Sequence, residues 1–314
     1  MVDMIELQNA TKRYGDKTAV DDLSLIVRPG IVTGFLGPNG AGKSTSMRMM
    51  VGLDDPTSGE VTVNGRHYRS FKAPLHEVGA MLEARSVHTG RSAYHHLLAL
   101  AQTHGLPSSR VDEVIDQVGL RDVARRRAGG FSLGMGQRLG IAAALLGDPQ
   151  TVILDEPTNG LDPDGIRWIR ELLKDLAREG RTVFLSSHLM SELSQTVEHV
   201  IVIGRGRLIA DTSITDLVER ASAGAGVTVR TPDAEELRHV LNGPGRWIDA
   251  AGPGLLQVQG IPAPEIFTIA AQNGVVLHEL TPQTATLEDA YMSLTSDAIE
   301  YTTSTNNHGE EIAA

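Results

Sequence analysis

The rhythm of hydrophobic and polar positions changes several times along the 314 residues. Near the start, "MIELQNA", "LSLIVRP" and "EVTVNG" alternate apolar with polar residues between turn formers, which predicts short strands in an antiparallel layer. From Ile31 the apolar runs become nearly continuous. "VTGFL", "TVILD", "TVFLSS" and "HVIVI" read as the doubly buried strands of a parallel sheet, and the stretches between them are helical in period. The expected class is therefore α/β. Residues 92–146 carry no strong strand signal, and "AYHHLLALAQTHG", "RVDEVIDQVGL" and "GQRLGIAAALLG" predict a helical insertion. After "DLVERASAGAG" the residues become small and flexible, which sets a boundary near residue 224. A second unit follows: strand "GVTVRT", helix "DAEELRHVL", a strand pair in "RWIDAAGPGLLQVQG", helix "PEIFTIAAQNG" and strand "VVLHEL". That βαββαβ order is the ferredoxin-like arrangement of a small α+β unit. The expected division is a main domain over 1–218, a linker over 219–226, an accessory domain over 227–301 and a disordered polar tail over 302–314. The helix "LEDAYMSLT" is expected to pack on the accessory unit.

Composition narrows the function classes. At 41% hydrophobic residues the chain has material for a sizeable core, yet its longest apolar run, "LGIAAALLG", falls well short of the roughly 20 residues a spanning helix needs. The start, "MVDMIELQNA", has early acids and no basic head before an apolar segment, unlike a secretory signal. With no cysteine, neither disulfides nor thiolate metal sites are available, as suits a cytoplasmic protein. A formal charge of −11 argues against a broad nucleic-acid footprint, so no nucleic-acid partner is expected.

The candidate chemistry begins at "GFLGPNGAGKST". Gly37, Gly42, Lys43 and Ser44 meet the G-x4-G-K-[ST] spacing, in which Gly37, Pro38, Asn39, Gly40, Ala41 and Gly42 turn backbone N–H groups onto phosphate oxygens at a helix N-terminus. Lys43 is placed to reach the β- and γ-phosphates, Ser44 to bind Mg²⁺, and Thr45 completes the loop. A plain glycine-rich turn is the bland alternative, disfavoured because a strand precedes and a helical pattern follows. "TVILDEP" supplies the acids such a site needs: Asp155 for the metal, through water, and Glu156 at the strand's rim as general base. Alone, "DE" after a strand is weak, since acids often end strands.

With these residues in order, the chain from about Met4 to Leu217 resembles the nucleotide-binding subunit of ABC transporters. "FSLGMGQR" resembles that family's signature segment, "GLDP" its D-loop and "SSH" its histidine switch. The resemblance implies a P-loop NTPase fold with a parallel core sheet, an antiparallel β layer and a helical insertion, together with ATP and Mg²⁺. It places Tyr14 of "KRYG" on adenine, His188 at the γ-phosphate, and Ser132 and Gly134 on the nucleotide of a second ATPase subunit, in a homodimer or with a relative. Asp162 would act across that dimer interface. An isolated Tyr, His, N-cap serine or Asp before proline is more often structural; the ordered set reverses that reading. The lack of a spanning segment implies a separate membrane permease, reached from the cytoplasmic face, with residues 83–104 as the contacting surface. "EPTNGLDP", "FSLGMGQRL" and "SSHLMSE" most resemble the drug-resistance exporters, whose cargo is drug-like or antibiotic-like. Rival readings are a soluble ABC ATPase acting on nucleic acid or ribosomes, and a metabolic kinase.

Two positions depart from the family pattern. Glu83 stands where glutamine is usual; a carboxylate still ligates Mg²⁺ but adds negative charge. Leu133 and Met135 replace the usual Gly and Gln of the signature. His88, His95, His96 and His104 suggest a metal site, but with no carboxylate at matching spacing they read as exposed helix positions.

Overall fold

The computed structural model describes residues 4–83, 87–187, 190–222, 226–283 and 285–295; His188 and the expected tail lie outside them. In chain order the first elements are β1 (Ile5–Tyr14), β2 (Lys17–Val27), β3 (Val32–Leu36), α1 (Lys43–Met50), β4 (Ser58–Val63) and β5 (Val78–Met81). Then come α2 (Ala93–Thr103), α3 (Ser108–Gln117), α4 (Leu133–Leu145), β6 (Thr151–Leu154), α5 (Pro163–Arg178), β7 (Thr182–Ser186), α6 (Met190–Leu193), β8 (His199–Gly204), β9 (Arg207–Ser213) and α7 (Ile214–Ser222). The remaining elements are β10 (Val227–Arg230), α8 (Ala234–Leu241), β11 (Trp247–Gly252), β12 (Leu255–Gln259), α9 (Ala263–Gln272), β13 (Glu279–Pro282) and α10 (Leu287–Thr295).

The alternating strands β2-β1-β4 make an antiparallel sheet, and the apolar strands make a six-stranded sheet in the order β5-β6-β7-β3-β8-β9, parallel except for the antiparallel edge strand β9. Strand periodicity explains why β3 and β7 are apolar throughout. Phe35 and Phe184 face the antiparallel layer and α1, their rings 5.0 Å apart, while Val32, Leu36, Val183 and Leu185 face the helices on the opposite side. Two cores thus clamp one sheet, and β3 runs at its centre. β5 and β9 were not foreseen: β5 is only four residues long, and β9, "RLIADTS", pairs among the described residues only with β8, has no fully buried residue and lacks a strong apolar run.

The four strands after α7 form an antiparallel sheet, β11-β12-β10-β13, with α8 and α9 over it and a small core of its own around Val229, Leu237, Val258 and Ile266. This is the ferredoxin-like order. Three boundaries differ from expectation. Residues 219–222 continue α7 instead of forming linker, because Leu217 and its neighbours bury an apolar stripe on the first core. The last strand starts at Glu279, beyond most of "VVLHEL". The final helix corrects the sequence reading most: α10 packs on α7 and α6, with Leu287, Ala290 and Tyr291 buried in the core of the first unit. The chain therefore leaves that unit through α7 and comes back to it. A reciprocal cap starts the returning helix, Thr286 Oγ1 donating to Asp289 Oδ2 at 2.7 Å and Asp289 N donating to Thr286 Oγ1 at 3.1 Å.

Candidate active site

The carboxyl end of β3 opens into the phosphate loop, next to β7 and β8, the position in an open parallel sheet where ligands bind. Close packing dictates the glycines. A Cβ on Gly37 would sit 2.6 Å from the Ile203 carbonyl oxygen; at Gly42, with φ +105°, it would sit 2.6 Å from that of Ala19. The turn between β8 and β9 supports the loop from behind, Gly206 N donating to the Ala41 carbonyl at 3.0 Å. α1 starts at Lys43 with no side-chain cap, so its first N–H groups stay oriented toward the loop's concave side.

Tyr14, Pro38, Asn39, Gly40, Ala41, Gly42, Lys43, Ser44, Thr45, Asp155 and Glu156 surround one cleft of about 420 Å³. Lys43 Nζ curls back onto the carbonyls of Gly37 (2.5 Å) and Pro38 (3.3 Å). Burial lowers its pKa from the usual lysine value, while the charges of Glu156 and Asp155 oppose that shift. Ser44 Oγ donates to Asp155 Oδ2 at 3.1 Å. A hydroxyl and a carboxylate at this spacing are hard oxygen donors of the kind Mg²⁺ takes when it is shared with phosphates. Among the described residues no group of three or more His, Cys, Asp or Glu could cage a metal, and the histidine-rich stretch is no exception. His95 and His104 bond locally at the two ends of α2, and His88 lies in the loop before it.

Glu156 has a left-handed backbone, φ +52°, held on both sides. Its N–H donates to Ser186 Oγ at 3.0 Å, and its carbonyl accepts from Gln137 Nε2 at 2.9 Å. Ser186 in turn donates to Asp155 Oδ1. Neither Ser186 nor Gln137 was singled out from sequence. Their signal was a polar residue at the end of a buried strand and a lone amide on an apolar helix face, since Gln137 is 1% exposed. Lys17 and Ala19 also join the cleft unforeseen, brought there by the β1–β2 hairpin.

Tyr14 sits at the rim with its ring half exposed and its hydroxyl donating to Asp54 Oδ2 at 2.9 Å; desolvation first, then Asp54, raises its pKa. Glu83 is exposed and lines a neighbouring cavity of about 640 Å³ that shares Ser44 and Asp155 with the first. Ser132, Gly134 and Asp162 line neither cavity. Ser132 caps α4, accepting from Met135 N at 3.2 Å, and Asp162 caps α5, accepting from Gly165 N at 2.9 Å ahead of Pro163.

Residues 20–159 match the family model of ABC transporters, and residues 225–288 match a domain of unknown function. An uncharacterized ABC transporter ATP-binding protein, YhcH of Bacillus subtilis, is 36% identical over 304 residues, covering 96% of this chain and 98% of that protein. The chain belongs to the ABC transporter ATP-binding proteins. The bacitracin transport ATP-binding protein BcrA of Bacillus licheniformis is 43% identical over 223 residues, 70% of this chain and 73% of BcrA. Among solved structures, the dimeric bacterial ABC transporter cassette MJ0796 superposes with a TM-score of 0.62 at 25% identity, covering 67% of this chain and 98% of the cassette. This ABC protein is thus an ATPase of the P-loop class, from a family whose ATP-binding subunits dimerise and work with membrane permeases. Among the described residues no helix is long and apolar enough to cross a membrane.

Proposed function

We propose that this chain powers an ABC exporter of antibiotic-like compounds, as one of two ATPase subunits that close on ATP beneath a separate permease at the cytoplasmic face of the membrane. One observation carries the two-subunit part: the cleft gathers the phosphate loop, Asp155 and Glu156, while Ser132 and Gly134, which the family resemblance assigns to nucleotide, lie outside it. A second copy supplies them in this reading, with Asp162 beside the joint. The export part is supported by similarity to a bacitracin transport ATP-binding protein.

Each residue then has a physical task. Lys43 exchanges its two loop carbonyls for β- and γ-phosphate oxygens, a charge-for-charge gain in a partly desolvated site. Ser44 and Asp155 would hold Mg²⁺, with Glu83 facing it from the adjoining cavity, where the ion would neutralise phosphate charge. Glu156 takes a proton from the attacking water, its backbone kept in place by Ser186 and Gln137. Tyr14 offers its exposed ring to adenine. His188, two residues after β7, is assigned to the γ-phosphate. Glu83, Val87 and His96, from the stretch 83–104 assigned to the permease, line the 640 Å³ cavity beside the nucleotide cleft.

The test is to express the chain in a bacitracin-sensitive host together with a membrane permease that co-purifies with it. Resistance that is lost in Lys43→Ala is the expected result; unchanged sensitivity across a panel of peptide antibiotics would remove the export reading. Glu83→Gln should keep ATP binding and alter turnover or its coupling to transport, and identical kinetics and transport would contradict a role for the extra charge.

A further inference from the structure

Two stretches of the helical insertion run side by side at the start of α2. Ala128 N donates to the Arg91 carbonyl at 2.9 Å, Tyr94 N to that of Ala124 at 2.9 Å and Ala93 N to that of Arg126 at 3.3 Å, while Ser92 and Arg127 form an antiparallel bridge. This pairing gathers Arg91, Arg125, Arg126 and Arg127 at one corner of the molecule, all four exposed. Arg48, Arg110, Arg181 and Arg207 lie against carboxylates elsewhere; among the described residues none of the four at this corner does. The acids preceding the arginine run are Asp122, which is exposed, and Asp116, which is already paired with Arg121. The positive field reaches into the fold: after desolvation, the charges of Arg91 and His88 hold the pKa of His96 below the usual histidine value. None of the four arginines lines the nucleotide cleft or the 640 Å³ cavity; they spread over the surface. Arg125 lies 4.4 Å over the partly buried Tyr94 ring, a pairing of cation and aromatic that suits the boundary between membrane and water.

We propose that Arg91, Arg125, Arg126 and Arg127 form a docking surface for anionic phospholipid headgroups, which holds the helical insertion against the cytoplasmic leaflet beside the permease. Its placement rests on the reading that the stretch 83–104 faces the permease; its preference for anionic lipid does not. The formal charge of −11 is no obstacle, because charges more than about 10 Å apart are largely screened at ordinary salt, so the contact feels the local cluster. Lipid phosphates diffuse in the plane of the leaflet and can collect beneath dispersed guanidinium groups. An acidic protein segment would instead have to match each of them in a fixed geometry.

The experiment is sedimentation of the full chain with vesicles of phosphatidylcholine, alone or mixed with phosphatidylglycerol, with no permease present. The wild type should bind the mixed vesicles, ignore the neutral ones and be released as salt is raised. Arg125→Gln, Arg126→Gln and Arg127→Gln combined should lower partitioning by about 100-fold, since each basic residue at such a surface contributes about fivefold. Arg125→Lys, Arg126→Lys and Arg127→Lys combined should stay within about threefold of the wild type, a rescue by charge that a merely structural role would not give. Both triple variants should bind a fluorescent ATP analogue within about twofold of the wild type, because none of these residues lines the cleft. Should the Gln variant fail that check, Arg126→Glu alone takes its place, with a loss of about 25-fold expected and wild-type partitioning overturning the proposal. Equal binding to neutral and anionic vesicles, or a Gln variant that partitions as the wild type does, overturns it too. So does a wild type that ignores the anionic vesicles; if the Gln variant then also loses a permease that co-purifies with the wild type, the patch is a contact for acidic protein instead. The export reading fails separately, by unchanged antibiotic sensitivity in cells while vesicle binding persists.

Discussion

Leu287→Ala tests where the end of the chain belongs. Leu287 is 4% exposed and sits with Ala290 and Tyr291 among Leu193, Val197 and Leu217, residues of the ATPase core. Removing three buried carbons forfeits about 2.4 kcal/mol at about 0.8 kcal/mol each. The cavity left behind raises the total to about 3 kcal/mol, because α10 is held at its start by the Thr286–Asp289 cap and at its middle by Tyr291, and cannot collapse freely. The weakened elements should be α6 and α7, on which the helix lies. Amide hydrogen exchange resolved by residue is the appropriate assay. Protection around Thr196, Val197, Leu217 and Val218 should fall by about 100-fold, the equivalent of roughly 3 kcal/mol, with little change at Val229 or Leu256 in the accessory sheet. Thermal unfolding of the ATPase unit should move down by about 6–12 °C at 2–4 °C per kcal/mol. Loss of protection confined to 227–283, with α7 untouched, would refute the assignment of α10 to the first core.

Other consequences can be measured directly. Glu156→Gln should keep ATP binding and lower turnover by about 100-fold or more, since it removes the proton acceptor and leaves the phosphate loop intact; near-normal turnover would show that another group takes the proton. Gln137→Met keeps the helix volume but leaves the Glu156 carbonyl without its side-chain donor, so kcat should fall by roughly tenfold while the KM for ATP stays within about twofold. His96 is half-buried against the 640 Å³ cavity, and desolvation first, then the charges of Arg91 and His88, lower its pKa below 6.5. The unfolded chain therefore takes up the proton first. Stability is unaffected by His96 above pH 6.5 and declines as pH falls through the folded pKa, so His96→Gln should lose less stability than the wild type between pH 7 and pH 5.5 in denaturant titrations. Equal losses would exclude His96 as the source.

Much of this protein was legible in its sequence because it is encoded locally. Strand alternation in "MIELQNA", continuous apolar strands such as "TVFLSS" and the spacing of "GPNGAGKST" each report backbone geometry within a few residues. From such patterns the α/β class, the antiparallel layer, the helical insertion and the ferredoxin-like order followed, along with the phosphate loop, Asp155 and Glu156 that the fold brings to one cleft. What only the tertiary structure decided was which apolar face meets which. The stripe of Leu287, Ala290 and Tyr291 suits either core, and only the path of the chain out through α7 and back sets it against the first. β9 carries too little apolar periodicity to announce itself and exists as a strand because β8 offers it an edge. Gln137 and Ser186 look ordinary in the sequence; they matter because folding sets them on either side of Glu156 from partners 19 and 30 residues away. A motif states what a residue can do, and long-range packing decides which neighbours it does it with.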